Sequence, residues 1–253
     1  MSYTKHSLEC NSSNYSATWC TKTYLVFHYT ANFVSSSKGL AKANATYYHN
    51  TANIGASAHV FVDDEEVWES INYNYRAWAV GGSAYNTSIG GAKYHNIATN
   101  TNSISIEMCN YATGTKDNAT YHLSEATLAN ARALGKEIIK KYGITKDHVI
   151  CHFDVTGKAC PMVDGWWGKN RSEWEKFRDS LFEEDDEDMT DKQFAEKMET
   201  YRKNLGEKDF SKWAKTAGVD KWCKETGIMD GTRPQDLCTR QEVAAMIKKA
   251  KEG

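Results

Sequence analysis

Between His152 and Pro161 the chain reads HFDVTGKACP, which sets an imidazole, an ammonium and a thiol close together. Imidazole and thiolate together form a ligand set for zinc. The run starts at the end of an apolar segment, His148 to Phe153, with the composition of a strand. Successive strand side chains point to opposite faces, so His152 faces away from Cys151 and the two do not share an ion. A loop from Asp154 to Ala159 then folds back and returns Cys160 to the ion, and Pro161 fixes the backbone after it. A third ligand is needed, and the best donor is His28, near the end of another apolar strand-like run, Tyr24 to Thr30. Three protein ligands with an open fourth position describe a catalytic zinc site. A water in that position has its pKa lowered toward neutrality. The cofactor implied is one zinc ion.

The elements that must position these residues follow from pattern. Tyr24 to Tyr29 is a buried-type strand, and Gly39 to Tyr48 has helical spacing and ends near His49-Asn50. Ala56 to Val62 reads as a strand, Asp63 to Glu66 as a hairpin turn, and Val67 to Ser70 as the return strand. An aromatic stretch, Asn72 to Gly82, leads into a Gly-, Ser- and Asn-rich surface loop from Ser83 to Thr101. Ser103 to Met108 is a strand with Ser103, Ser105 and Glu107 on one face. Ser124 caps a helix from Glu125 to Tyr142, stopped by Gly143. Trp166 to Phe182 reads as a last amphipathic helix that buries Trp167, Trp174, Phe177 and Leu181. Strands interleaved with helices predict an α/β domain, a mixed central β-sheet flanked by helices. Met1 to Lys22 reads as a polar surface arm.

The acidic run from Glu183 to Asp188 repels itself and reads as a linker. The organisation is therefore a catalytic domain over residues 1–182, an acidic linker over 183–190 and a small helical C-terminal domain over 191–253. Within the tail a Gly-Ile-x-Asp-Gly turn precedes Pro234, and Thr239 with Glu242 forms a capping box for a final helix.

Composition excludes several classes. The chain has 253 residues, a net charge of −2 and 40% hydrophobic residues, with a mean hydropathy of −0.66. Near-neutral charge gives no footprint for nucleic acid, and no apolar run is long enough to span a membrane. Met1 to Asn14 lacks the apolar core of a signal peptide, so synthesis in the cytoplasm is expected. Seven cysteines, widely spaced, do not make a disulfide scaffold. Reduced thiols are the plainer expectation, and a Cys10–Cys20 bridge stays open.

His28-Tyr29-Thr30, Ser57-Ala58-His59, Asn102 to Glu107 and HFDVTGKACP occur in that order. Together they resemble the zinc-dependent N-acetylmuramoyl-L-alanine amidases of the phage-lysozyme and peptidoglycan-recognition-protein type. The resemblance covers about Tyr24 to Phe177, and HFDVTGKACP is its most specific part. It implies His28, His152 and Cys160 as zinc ligands. It also implies Glu107 as the carboxylate that takes a proton from the metal-bound water, since the family has a glutamate at the matching position. Lys158, two residues before Cys160 as in the phage amidases, is implied as oxyanion stabiliser. Two departures stand out: Ala58 replaces a tyrosine of some branches, and Ala79 replaces a histidine after the tryptophan that matches Trp78. His59 reads as a structural histidine. Tyr73, Tyr75 and Trp78 are candidates to line a groove for a sugar–peptide substrate, or are core.

The reaction implied is hydrolysis of the amide between N-acetylmuramic acid and L-alanine in bacterial peptidoglycan, by a phage or prophage endolysin acting on the wall after release. Two rivals remain: a recognition module of this fold that binds wall fragments without cutting them, and a zinc peptidase acting on stem peptides. The tail resembles part of an S-layer-homology-type motif, which implies wall binding. Simple packing or pairing of two copies stays open beside it.

Overall fold

Runs rich in Val, Ile and aromatic residues become the strands of the N-terminal part. The computed structural model describes residues 3–183, 191–227, 235 and 240–252. Its strands are β1 (Thr4–Ser7), β2 (Tyr15–Ser16), β3 (Tyr24–Tyr29), β4 (Val60–Val62), β5 (Glu66–Glu69), β6 (Arg76–Ala77), β7 (Ser103–Met108), β8 (Tyr111–Thr115), β9 (Asn118–His122) and β10 (Val149–Cys151). Its helices are α1 (Leu40–Asn50), α2 (Glu125–Tyr142), α3 (His152–Thr156), α4 (Ser172–Ser180), α5 (Asp191–Gly206), α6 (Lys212–Thr216), α7 (Val219–Thr226) and α8 (Arg240–Glu252). The chain divides into two compact units, Met1–Glu183 and Glu184–Gly253.

The main sheet of the first unit runs β1-β5-β4-β7-β3-β10. Only the β4–β5 hairpin is antiparallel; the other neighbours pair in parallel. A mostly parallel sheet must be covered on both faces, and this one is. Leu25, Phe27, Ile104, Ile106 and Met108 turn to one face and pack with Leu134, Ile138, Trp174 and Phe177 of α2 and α4. The Phe27 ring meets Phe177 edge-on at 5.1 Å. On the other face Phe61 packs with Ala41 and Ala45 of α1, and Val26 with Val80, Ile150 and Val155. Each fully buried side chain of this size contributes about 1.5–3 kcal/mol.

Ser124 caps α2 by accepting the Thr127 amide at 3.0 Å, and Gly143 closes it in the left-handed region at φ 64°. The β4–β5 corner is tied by Asp63, whose carboxylate accepts the Glu65 and Glu66 amides at 2.9 Å and the Ala41 amide near the start of α1.

Several elements differ from the sequence expectation. The strand expected over His148 to Phe153 is only Val149–Cys151, and His152 opens a helix rather than ending a strand. The cause is Asp154, whose side chain accepts the Cys151 amide at 2.9 Å and starts a helical turn. The expected loop from Asp154 is therefore helical as far as Thr156. The expected strand Ala56–Val62 pairs only from Val60. The last helix of this unit starts at Ser172, and Trp166 rather than Trp167 is the more buried indole. The N-terminal segment is not only a surface arm: β1 adds an edge strand parallel to β5. The β8–β9 hairpin was not anticipated at all. Cys10 and Cys20 are both free, buried thiols.

The second unit is helical where described. Ser211 caps α6 through the Ala214 amide, and Ala214 and Cys223 are buried. The acidic run beyond Glu183, the turn after Gly227, Pro234, Cys238 and the Thr239 cap lie outside the described residues. Among those described, no helix is long and apolar enough to cross a membrane.

Candidate metal centre

Three neighbouring parallel strands deliver the site at their carboxyl ends. His28 in β3 pairs directly with Glu107 in β7, and Phe27 pairs with Cys151, the residue before His152. The chain leaves α3 through Gly157 and returns so that the Phe153 amide meets the Cys160 carbonyl at 3.0 Å. Cys160 is followed by a cis peptide bond to Pro161.

The result is a convergence of His28, His152 and Cys160, all buried, with one ligand atom from each lying within 4.8 Å of the others. The two Nδ1 atoms stand 3.2 Å apart, and Cys160 Sγ is 3.8 Å from His28 Nδ1. Zinc–nitrogen bonds of about 2.05 Å and a zinc–sulfur bond of about 2.3 Å in tetrahedral array set N···N near 3.3 Å and N···S near 3.6 Å. The donor set and its spacing fit a zinc ion. Glu107 Oε1 lies 4.0 Å from His28 Nδ1. Glu107 Oε2, His28 Nε2 and His152 Nε2 are buried without a protein partner.

The electrostatics suit a metal as well. Burial drives His28 well below the ordinary imidazole range, with His152 and Lys158 adding to it. Burial, then Lys158, lowers His152 to about 4. Both rings are therefore neutral near pH 7, the form that ligates metal. Burial pushes the Cys160 thiol up, and Glu107 adds to this. The Tyr29 main-chain N–H and Lys158 act in the opposite direction. A nearby cation is what makes such a thiol a thiolate. Burial lifts Glu107 to about 8 against the pull of Lys158. Lys158 itself is exposed.

Gly157 positions this loop. It sits at φ +81°, and a Cβ there would lie 1.7 Å from the Tyr85 carbonyl oxygen. Asn86 Nδ2 donates to the Gly157 carbonyl at 2.8 Å, so the long loop braces the turn that carries Lys158.

His59 stands apart from the ligands. Its Nδ1 accepts the Ser105 amide at 3.0 Å, and Nε2 donates to the Tyr75 carbonyl at 3.0 Å. The structure does not bring the aromatic candidates to the metal group. Tyr73 packs against the α2-side core and lines, with Tyr75, Glu9 and Glu69, a cavity of about 480 Å³. Trp78 lines another of about 350 Å³ with Arg76, His95 and Asn100. Neither cavity includes a ligand, Glu107 or Lys158. Arg171 was missed from sequence: it forks onto Asp154 with Nη1 at 2.5 Å and Nη2 at 2.9 Å. Only the acidic residue two positions after His152 hinted that a partner was needed.

A mixed α/β sheet places His28 and Glu107 at adjacent strand ends, with His152 and Cys160 brought to them by the turn and loop that follow β10. The N-acetylmuramoyl-L-alanine amidase family model matches residues 19–163, more than half of the chain, and the chain belongs to that family. It is 30% identical over 159 residues to N-acetylmuramoyl-L-alanine amidase CwlL of Bacillus licheniformis, covering 61% of this chain and 39% of that protein. It is also 30% identical over 146 residues to amidase CwlH of Bacillus subtilis (strain 168), covering 56% of this chain and 49% of the relative. The chain thus spans less than half the length of these relatives. Among solved structures, the catalytic domain of XlyA shares the fold, with a TM-score of 0.51 and 24% identity over 70% of this chain and 98% of that one. A mutant endolysin from Bacillus subtilis does too, with a TM-score of 0.52 and 24% identity over 71% and 99%.

Proposed function

We propose that the chain is a zinc-dependent peptidoglycan amidase that cleaves the amide between the lactyl group of N-acetylmuramic acid and L-alanine of the stem peptide. The observation that carries this is the convergence of His28, His152 and Cys160 beside Glu107, in a chain of the amidase family. Those three residues would hold zinc, which when bound supplies Lewis-acid polarisation of the scissile carbonyl and a water acidified toward neutral pH. Glu107 takes a proton from the attacking water and passes it to the leaving amine. Its Oε1 lies 4.0 Å from His28 Nδ1, which puts the carboxyl group beside the metal group, where a bound cation would favour its charged, proton-accepting form. Lys158 holds the oxyanion that develops on the former carbonyl.

The setting we assign is a phage or prophage endolysin, made in the host cytoplasm and reaching the wall on release, in keeping with the endolysin domain that shares its fold. The second unit, with Trp213 and Trp222 largely exposed, would hold the enzyme to the wall.

The test is turbidity loss of purified walls by wild type and Cys160→Ser, with bound zinc measured in both. About one zinc in the wild type, cleared walls and new L-alanine amines, all lost in the mutant, support the proposal. Zinc binding without amine release, on walls of several chemotypes, favours a non-cutting recognition module. New peptide ends with lactyl amides intact favour a stem-peptide peptidase.

A further inference from the structure

We propose that Arg171 is a positioning residue for the metal ligand His152, holding the turn that carries it from behind; this rests on the zinc assignment above. His152 is the first residue of α3, a helix of only five residues that cannot orient a ligand unaided. Its geometry depends on Asp154, which accepts the Cys151 amide at 2.9 Å. Asp154 is 5% exposed, and a buried carboxylate needs a partner. Arg171, placed just before α4, supplies it as a two-pronged fork, with Nη1 on Oδ1 and Nη2 on Oδ2. The same Nη2 reaches Cys151 Sγ at 3.0 Å. The guanidinium is held in turn by the Phe153 ring at 5.3 Å and the Trp174 ring at 5.9 Å.

The contact to Cys151 adds a second anchor on the core side of the turn. Arg171 therefore fixes His152 through Asp154. A lysine keeps the charge but has no planar fork, so charge and geometry can be separated.

The experiment measures zinc affinity of the full chain by chelator competition, the absorption of the cobalt(II)-substituted protein, and thermal unfolding without metal. It compares wild type, Arg171→Lys, Arg171→Gln and, as a packing control, Arg132→Lys, whose Nε bonds Ser180 between α2 and α4. Supporting ligands of this kind change metal affinity by about 10–100-fold. The expected result is that loss in folded Arg171→Lys, with altered cobalt ligand-field bands, and a loss at least as large in Arg171→Gln. Arg132→Lys binds as wild type does. Zinc affinity within about twofold of wild type and unchanged cobalt bands in Arg171→Lys overturn the proposal, whether or not Arg171→Gln folds. An equal loss in Arg132→Lys also overturns it, by showing general loosening. A wild type that binds neither metal refutes the zinc assignment itself, and this proposal with it.

Discussion

Acid should cost this fold stability through His59, and by a calculable amount. The imidazole is 1% exposed, and its Nδ1 must stay unprotonated to accept the Ser105 amide. Burial, with the charge of Lys22, lowers its pKa from 6.5 to about 3. The unfolded chain therefore binds the extra proton first. Stability from this residue is complete above the unfolded pKa and is lost as pH falls from 6.5 toward 3. Each pH unit within the window costs about 1.4 kcal/mol. Moving from about pH 8 to about pH 5 thus removes roughly 2 kcal/mol, or about 4–8 °C of Tm in a unit of this size. His28 and His152 shift in the same direction, so the diagnostic quantity is the difference between wild type and His59→Asn. Asparagine does not titrate and cannot span both partners, which costs about 1–3 kcal/mol at the alkaline end. The gap then narrows by about 2 kcal/mol toward about pH 5. Urea unfolding of the metal-free protein across that range measures it. A gap that stays constant with pH refutes a neutral, doubly bonded His59.

Other outcomes follow from the site. Glu107→Gln should lower kcat by about 10²–10⁴ while zinc content stays that of wild type, because the carboxylate lies outside the ligand triad; a fall in bound zinc would make it a ligand instead. Lys158→Met should lower kcat by about 10²–10³ with little change in KM, as loss of an oxyanion donor does, read from soluble muropeptide hydrolysis. Gly157→Ala forces a Cβ into the Tyr85 carbonyl oxygen, so it should destabilise by at least about 3 kcal/mol or weaken zinc binding as the loop moves. Removing residues 184–253 should slow lysis of intact walls more than hydrolysis of soluble fragments, compared at equal zinc content.

The strand-borne parts of this site were legible because their signals are local. Tyr24–Tyr29 and Ser103–Met108 carry period and composition that only a buried strand explains, and they place His28 and Glu107. His152 reads as the end of a strand, and it opens a helix instead. Apolar neighbours continue the strand pattern up to Phe153, while the turn is set by a side-chain cap on the Cys151 amide that propensity does not register. The fork from Arg171 pairs residues 17 positions apart, across a turn whose path no pattern specifies. For Tyr73 and Tyr75 an aromatic run fits a groove or packing equally well in sequence; in the structure Tyr73 donates to Glu69 at 2.7 Å, and Tyr75 stacks on Tyr15. The β8–β9 hairpin was invisible because Gly114 and polar residues break its alternation.

The order of strands gives the site two clocks. His28 and Glu107 sit on β3 and β7, each hydrogen-bonded to a strand on both sides, so their amides exchange with solvent only through openings as costly as unfolding the sheet. Lys158 and Cys160 hang on a short return loop with few main-chain bonds, chief among them the one from Phe153 to Cys160. Such a loop, even braced by Tyr85 and Asn86, should open and reclose more often than the sheet does. Half of the proposed chemistry would thus stand in the most slowly exchanging part of the molecule, and half on a segment able to let go and reform within the native state. Removal of an ion held by His28, His152 and Cys160 would then loosen the fast half and leave the slow half standing as the template on which the site is rebuilt.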